Sequence, residues 1–161
     1  MFNLKTEFHL KIIFLFSSIA LISAFFIEYV LGHQPCNLCL IERIPYGLSI
    51  MIIMAIFFIK KNQKFLIMLL ILTFIFSFAI SFYHYGLEQG FFQESFFCGV
   101  KSLTDSINKE DLLKQLSEKT ISCRDVTFRI FGLSLTSINI VISLLFIITL
   151  TKIFYKNEKN R

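Results

Sequence analysis

Four long apolar runs, separated by short charged blocks, constrain this chain more than any other feature of its sequence. They cover about residues 12–31, 44–59, 65–83 and 130–151. A bilayer core about 30 Å thick is crossed by roughly 20 apolar residues wound as a helix. At 161 residues, 55% of them hydrophobic, the chain is long enough for one compact domain and too apolar for an ordinary water-soluble one. The expected fold is an all-α membrane protein, a single domain over 1–161 built as a bundle of four transmembrane helices. A short first outer loop and a longer second outer loop join them.

The first run competes with a secretory signal peptide. It is long for the apolar region of one and lacks a small-x-small cleavage site, so it reads as an uncleaved span. The second run is short at about 16 residues and carries Pro45 near its start. Proline suits the first position of a helix and disrupts its interior. A helix beginning near Ile44, with the preceding residues in a turn, satisfies that rule. In the long loop, Asn108 can cap a short amphipathic helix running through Lys119, with Leu112, Leu113 and Leu116 on one side. Such a helix can lie on the membrane or pack within its own loop.

The formal net charge of +5 raises the question of nucleic acid. The basic residues flank the apolar runs, and there is no phosphate loop and no basic helix interleaved with aromatics. The charge therefore reads as topology control. Lys5, Lys11, Lys60, Lys61, Lys64 and Lys152 to Arg161 fall on one side of a four-span chain. By the positive-inside rule that side, with both termini, is cytoplasmic.

Cys36, Cys39, Cys98 and Cys123 then all fall in the two outer loops, where disulfides persist. One pair per loop suggests two bridges, although four cysteines allow three connectivities. Cys36 and Cys39 form a C-x-x-C, which can close a redox-active ring or hold a soft metal. A zinc site would have to recruit Cys98 and Cys123, whose wide spacing is no second metal knuckle. Redox chemistry is the preferred reading, and no metal is assigned. Arg43 follows Cys39 by four residues, and is either an interfacial anchor or a cation that favours the thiolate. His84, in Tyr83-His84-Tyr85 at the outer end of the third run, emerges on the same face. Glu28 and Glu42 read as surface carboxylates, and Asn139 as interhelical glue.

Assembled in this way, the residues resemble the DsbB family of disulfide bond formation proteins. The specific part is Pro35-Cys36-Asn37-Leu38-Cys39-Leu40-Ile41-Glu42-Arg43. Tyr83-His84 and Phe131-Gly132-Leu133 add to it. Pro45 departs from the pattern. The resemblance implies a membrane oxidase in the bacterial inner membrane, with its cysteine loops periplasmic. It would pass electrons from a DsbA-like thioredoxin-fold protein to a membrane quinone, ubiquinone or menaquinone. It further implies that the partner attacks Cys98 of a Cys98–Cys123 disulfide. Cys123 then attacks Cys36, and Cys39 is left as a thiolate facing the quinone, with Arg43 and His84 beside the ring. The rivals are a vitamin K epoxide reductase-like oxidase, whose C-x-x-C normally comes late in the chain, and a non-catalytic membrane protein with two structural disulfides.

Overall fold

Hydrocarbon offers a backbone no partner but its own, and each apolar run answers by closing into one helix. The computed structural model describes residues 4–59, 62–93, 98, 123, 129–130 and 133–159. In chain order the helices are α1 (Leu4–Tyr29), α2 (Asn37–Phe58), α3 (Gln63–Glu88) and α4 (Leu135–Lys159). All four are long and apolar enough to cross a membrane, and the molecule is a multi-pass, all-α membrane protein as expected. The amphipathic helix expected at 108–119 lies outside the described residues.

Helix starts differ from the expected spans, and α1 begins at Leu4 rather than Ile12. α2 begins at Asn37 rather than Ile44, with Pro45 inside it and buried. Length decides this. At about 1.5 Å per residue, a helix of about 16 residues reaches roughly 24 Å and falls short of the bilayer core. The observed 22 residues reach about 33 Å. Pro45 costs one backbone hydrogen bond, to the Ile41 carbonyl, which a helix supported by its neighbours tolerates. α4 begins at Leu135 rather than Ile130. Ahead of it, β1 (Arg129–Ile130) and β2 (Leu133–Ser134) pair antiparallel, with Arg129 opposite Ser134.

α3 runs past the expected Tyr83 to Glu88, so His84 stands on a helix rather than at its frayed end. What stops it is Gly90, at φ 76°, a left-handed conformation that glycine adopts without strain. The Gly90 N–H then reaches the Leu87 carbonyl at 3.0 Å and the Phe91 N–H reaches the Gly86 carbonyl at 2.8 Å. These are the paired bonds of a glycine-terminated helix.

α3 is the central helix, packed against both α4 and α2, while α1 leans on α2 and barely touches α4. One end of the bundle holds an apolar core that includes Leu10, Ile53, Ile56, Ile67, Phe74 and Leu150. Midway, serines replace bulk. Ser49 meets Ser17 at 3.0 Å and Ser143 meets Ser77 at 3.2 Å, all fully buried. Small residues let helix backbones approach and give their hydroxyls a partner across the interface. Large apolar side chains such as Leu15, Ile22, Met51 and Phe76 stay exposed, as a lipid-facing surface requires.

The Ser77–Ser143 contact makes a direct prediction. Ser143→Leu should overpack the α3–α4 seam and destabilise the fold by about 1–3 kcal/mol, seen as a lower unfolding midpoint in detergent. Val141→Leu, on the exposed face of α4, should leave the midpoint where it is. Equal midpoints for the two variants would mean that the seam does not need a small residue there.

Candidate functional site

The C-x-x-C is built into the first turn of α2. Cys36 is its N-cap, extended at ψ 165°, and its sulfur accepts the Cys39 N–H at 3.2 Å. Cys36 and Cys39 are disulfide-bonded. Because the helix begins ahead of Cys39, Cys39 and Arg43 stand four residues apart on one helical face. Both open onto a cavity of about 270 Å³ between α1, α2 and α4. Phe16, Leu21, Ile27 and Ile142 supply apolar wall, and Glu42, Tyr46 and Asn139 join Cys39 and Arg43 as its polar part. The cavity occupies the side of the bundle where α1 and α4 make few contacts.

Arg43 is not a loose anchor. Its Nη1 donates to the Glu28 carboxylate of α1, and its guanidinium lies over the Phe25 ring, 5.3 Å from the centroid. Glu28, read from sequence as a surface carboxylate, is mostly covered and is the partner that holds Arg43 across the cavity mouth.

His84 has a different station from the one expected. It does not line the cavity beside Arg43. It is buried, with Nε2 3.6 Å from the Cys36 sulfur and Nδ1 3.0 Å from Glu42 Oε1. Thr136 on α4 lies 3.4 Å from Nδ1 and donates to Glu88 at 2.6 Å. Glu88 in turn comes within 4.0 Å of Nε2. Glu42, also read as a surface carboxylate, is the joint between the two sides. One oxygen meets His84; the other accepts the Asn139 amide at 3.3 Å. The same Asn139 nitrogen reaches Ser81 Oγ at 2.7 Å, and the Asn139 oxygen accepts the Tyr46 hydroxyl. A continuous polar chain therefore runs from the Cys36 sulfur to Tyr46 through α2, α3 and α4.

Cys98 and Cys123 are both buried, in one cluster with Cys36, Leu38 and Leu87. All four cysteines thus converge on one end of the bundle. Cys98 carries a free thiol, so the Cys98–Cys123 bridge implied by the resemblance is not the state recorded. The two loop cysteines are instead drawn into the apolar cluster that covers the C-x-x-C.

The sequence profile of the family described as disulfide bond formation protein DsbB matches residues 7–153. The chain belongs to the DsbB family. An uncharacterized protein of Rickettsia prowazekii (strain Madrid E) is 30% identical to it over 147 residues, covering 90% of this chain and 86% of that one. As a DsbB family member the protein is a membrane disulfide-bond formation protein, and a cysteine pair at disulfide distance on a four-span bundle is what that role asks for.

Among the residues that sequence reading did not assign to the site, Glu42, Tyr46 and Asn139 carry the most geometry, and Asn139 is the interhelical tie it was read as. The signal for Asn139 was its depth, since a polar residue inside a span is costly unless it is paired. Asn139→Leu should leave Tyr46 and one Glu42 oxygen short of a partner. Each buried polar group so orphaned costs about 1–3 kcal/mol. A lower unfolding midpoint in detergent is the expected result; a wild-type midpoint would mean that Glu42 and Tyr46 do not depend on Asn139.

Proposed function

We propose that this chain is a protein-dithiol:quinone oxidoreductase of the bacterial inner membrane. It reoxidises a DsbA-like thioredoxin-fold dithiol oxidase and passes the electrons to ubiquinone or menaquinone. The observation that carries this reading is the cavity between α1 and α4, which brings Cys39 and Arg43 to one apolar wall. Its volume is near the lower end of ligand pockets, roughly 300 Å³, and suits a flat ring rather than a peptide. The residues fit such a ring. Arg43 and Tyr46 carry donors for its oxygens, apolar side chains cover its faces, and Cys39 stands beside it. A quinone bound there supplies an acceptor for two electrons and two protons.

The chain's own sulfurs deliver them. A thiolate of the reduced partner attacks Cys98 of the Cys98–Cys123 disulfide, and the partner leaves oxidised, with both loop thiols reduced. Cys123 attacks the Cys36 sulfur, the Cys36–Cys39 bond breaks, and Cys39 departs as a thiolate. Closure of Cys98 onto Cys123 then releases Cys36 and leaves the C-x-x-C reduced by two electrons. The shared burial of Cys36, Cys98 and Cys123 supports the exchange between the two pairs. His84 handles the proton of Cys36. Its Nε2 faces that sulfur and its Nδ1 faces Glu42, whose carboxylate also lines the cavity. Sulfur and acceptor are thereby joined by a hydrogen-bonded route. Arg43 supplies fixed positive charge where negative charge develops.

The orientation belongs to the same proposal: termini cytoplasmic, cysteines periplasmic. Membrane-impermeant thiol reagents should label the cysteines of reduced spheroplasts without lysis. Labelling that requires lysis would invert the topology.

Arg43 gives the sharper test. Lysine keeps the charge, and with it the pairing to Glu28, but lacks the planar fork of donors. A lost charge-assisted hydrogen bond costs about 1.5–3 kcal/mol, or roughly ten- to a hundredfold in affinity. Arg43→Lys should therefore raise KM for quinone while exchange between partner and Cys98 stays near normal. Steady-state quinone reduction at varied quinone reads the first, and trapping of the mixed disulfide the second. An unchanged KM in Arg43→Lys and Arg43→Ala, with both variants folded, would remove Arg43 from the acceptor site.

A further inference from the structure

The residues that the proposed exchange uses at this end of the bundle also form a second kind of geometry. Cys36 Sγ, Cys39 Sγ and a ring nitrogen of His84 all lie within 4.8 Å of one another. Around a tetrahedral zinc ion, bonds of about 2.3 Å to sulfur and 2.0 Å to nitrogen put ligand atoms roughly 3.5–3.8 Å apart. The Cys36 sulfur and His84 Nε2 already stand at 3.6 Å. The Cys36–Cys39 bond is what stands in the way. While it is closed, the sulfurs are covalently paired and neither is a thiolate.

A second observation points the same way. A histidine that binds metal through one ring nitrogen usually gives the other N–H to a carboxylate, which fixes its tautomer and orientation. His84 has that arrangement ready. Nδ1 lies 3.0 Å from Glu42, leaving Nε2 to face the sulfur, and Glu42 is itself held by Asn139. Both His84 and Cys36 are buried, and Cys39 opens onto the cavity.

We propose that the reduced C-x-x-C and His84 form an inhibitory site for a thiophilic divalent cation, Zn²⁺ or Cd²⁺ in class, that the oxidised protein does not have. Reduction of the Cys36–Cys39 bond by two electrons, from a partner dithiol or a phosphine, gives two thiols. The cation binds both as thiolates together with the neutral Nε2 of His84, and two protons leave. The fourth coordination position stays open. With both sulfurs bound to metal, neither can donate electrons, and the pair is withdrawn from the cycle until the metal is removed. The binding site itself does not depend on the identity of the electron acceptor.

Cobalt is the probe, because thiolate-bound tetrahedral Co²⁺ has its own absorption bands. The full-length protein in detergent is reduced with a phosphine, desalted without oxygen and titrated with Co²⁺, then with Zn²⁺ in competition. The expected result is sulfur-to-cobalt charge-transfer and tetrahedral d–d bands that saturate at one equivalent. The oxidised wild-type protein, which is folded, should give none. A Cys98→Ser/Cys123→Ser chain should still bind. Glu42→Gln should weaken affinity about ten- to a hundredfold, as loss of a carboxylate behind a metal-bound histidine does. Absence of bands in the reduced wild type would overturn the proposal. So would binding lost in Cys98→Ser/Cys123→Ser, which moves the site to the loop cysteines, or binding unaltered in His84→Ala.

Discussion

The arrangement of this bundle depends on one demand: polar groups inside a membrane must find partners within the protein. Glu42, His84, Asn139, Ser81 and Tyr46 lie within the bundle, and each is served by another. Leaving a polar group unpaired in hydrocarbon costs several kcal/mol. The three helices that carry these groups, α2, α3 and α4, are therefore fixed not only in distance but in rotation about their own axes. Turning any of them by one residue, about 100° on a helix of 3.6 residues per turn, breaks the chain of contacts. The contact between His84 and the Cys36 sulfur is one consequence of that fixed rotation.

The arrangement has a counterpart where polar pairing is sparse. α1 contributes Ser17 to a serine contact and Glu28 to the Arg43 pair, and little else ties it across the bundle. Its loose side is the side of the cavity. Apolar packing alone gives helices in lipid weak reasons to stay together, because lipid tails are as apolar as leucine. A gap beside α1 is therefore cheap to maintain. The Glu28–Arg43 pair keeps it from being shapeless, since it holds the Arg43 guanidinium against Phe25.

How much of this could be read beforehand follows from which interactions were at work. The number of spans, the grouping of the cysteines and the closeness of Arg43 to Cys39 were legible, because they rest on local composition and spacing. The start of α2 was misread, because local propensity at Pro45 pointed to Ile44 while the thickness of the bilayer demanded the turn before it. The start of α4 was misread for a related reason. Ile130 and Leu133 are as apolar as a span but pair as a short hairpin. The face on which His84 emerges was legible, but its partners and those of Glu42 were not. They depend on helix rotation, which is set by partners on three different segments and leaves no trace in any single one. Asn139 was half legible: its depth announced a partner without saying which.

Placing a histidine and its carboxylate beside a dithiol has two chemical consequences that cannot be separated. A base that can take a proton from Cys36 must offer a lone pair toward sulfur, and a lone pair beside two thiolates is also a ligand set. Fixing the tautomer by Glu42 sharpens both properties, since it leaves Nε2 as the nitrogen that faces the sulfur. What distinguishes them is the state of the Cys36–Cys39 bond. In the oxidised chain the sulfurs satisfy each other and Nε2 faces no thiolate. In the reduced chain two thiols and an imidazole converge, and on the two proposals an electron acceptor and a metal ion would compete for the same electrons on sulfur. Cys39 opens onto the α1–α4 cavity, where the proposed acceptor would reach it, whereas the histidine faces Cys36 from α3. On the two proposals together, fast removal of electrons through Cys39 would also protect the site against metal, because it closes the bond that a metal needs open.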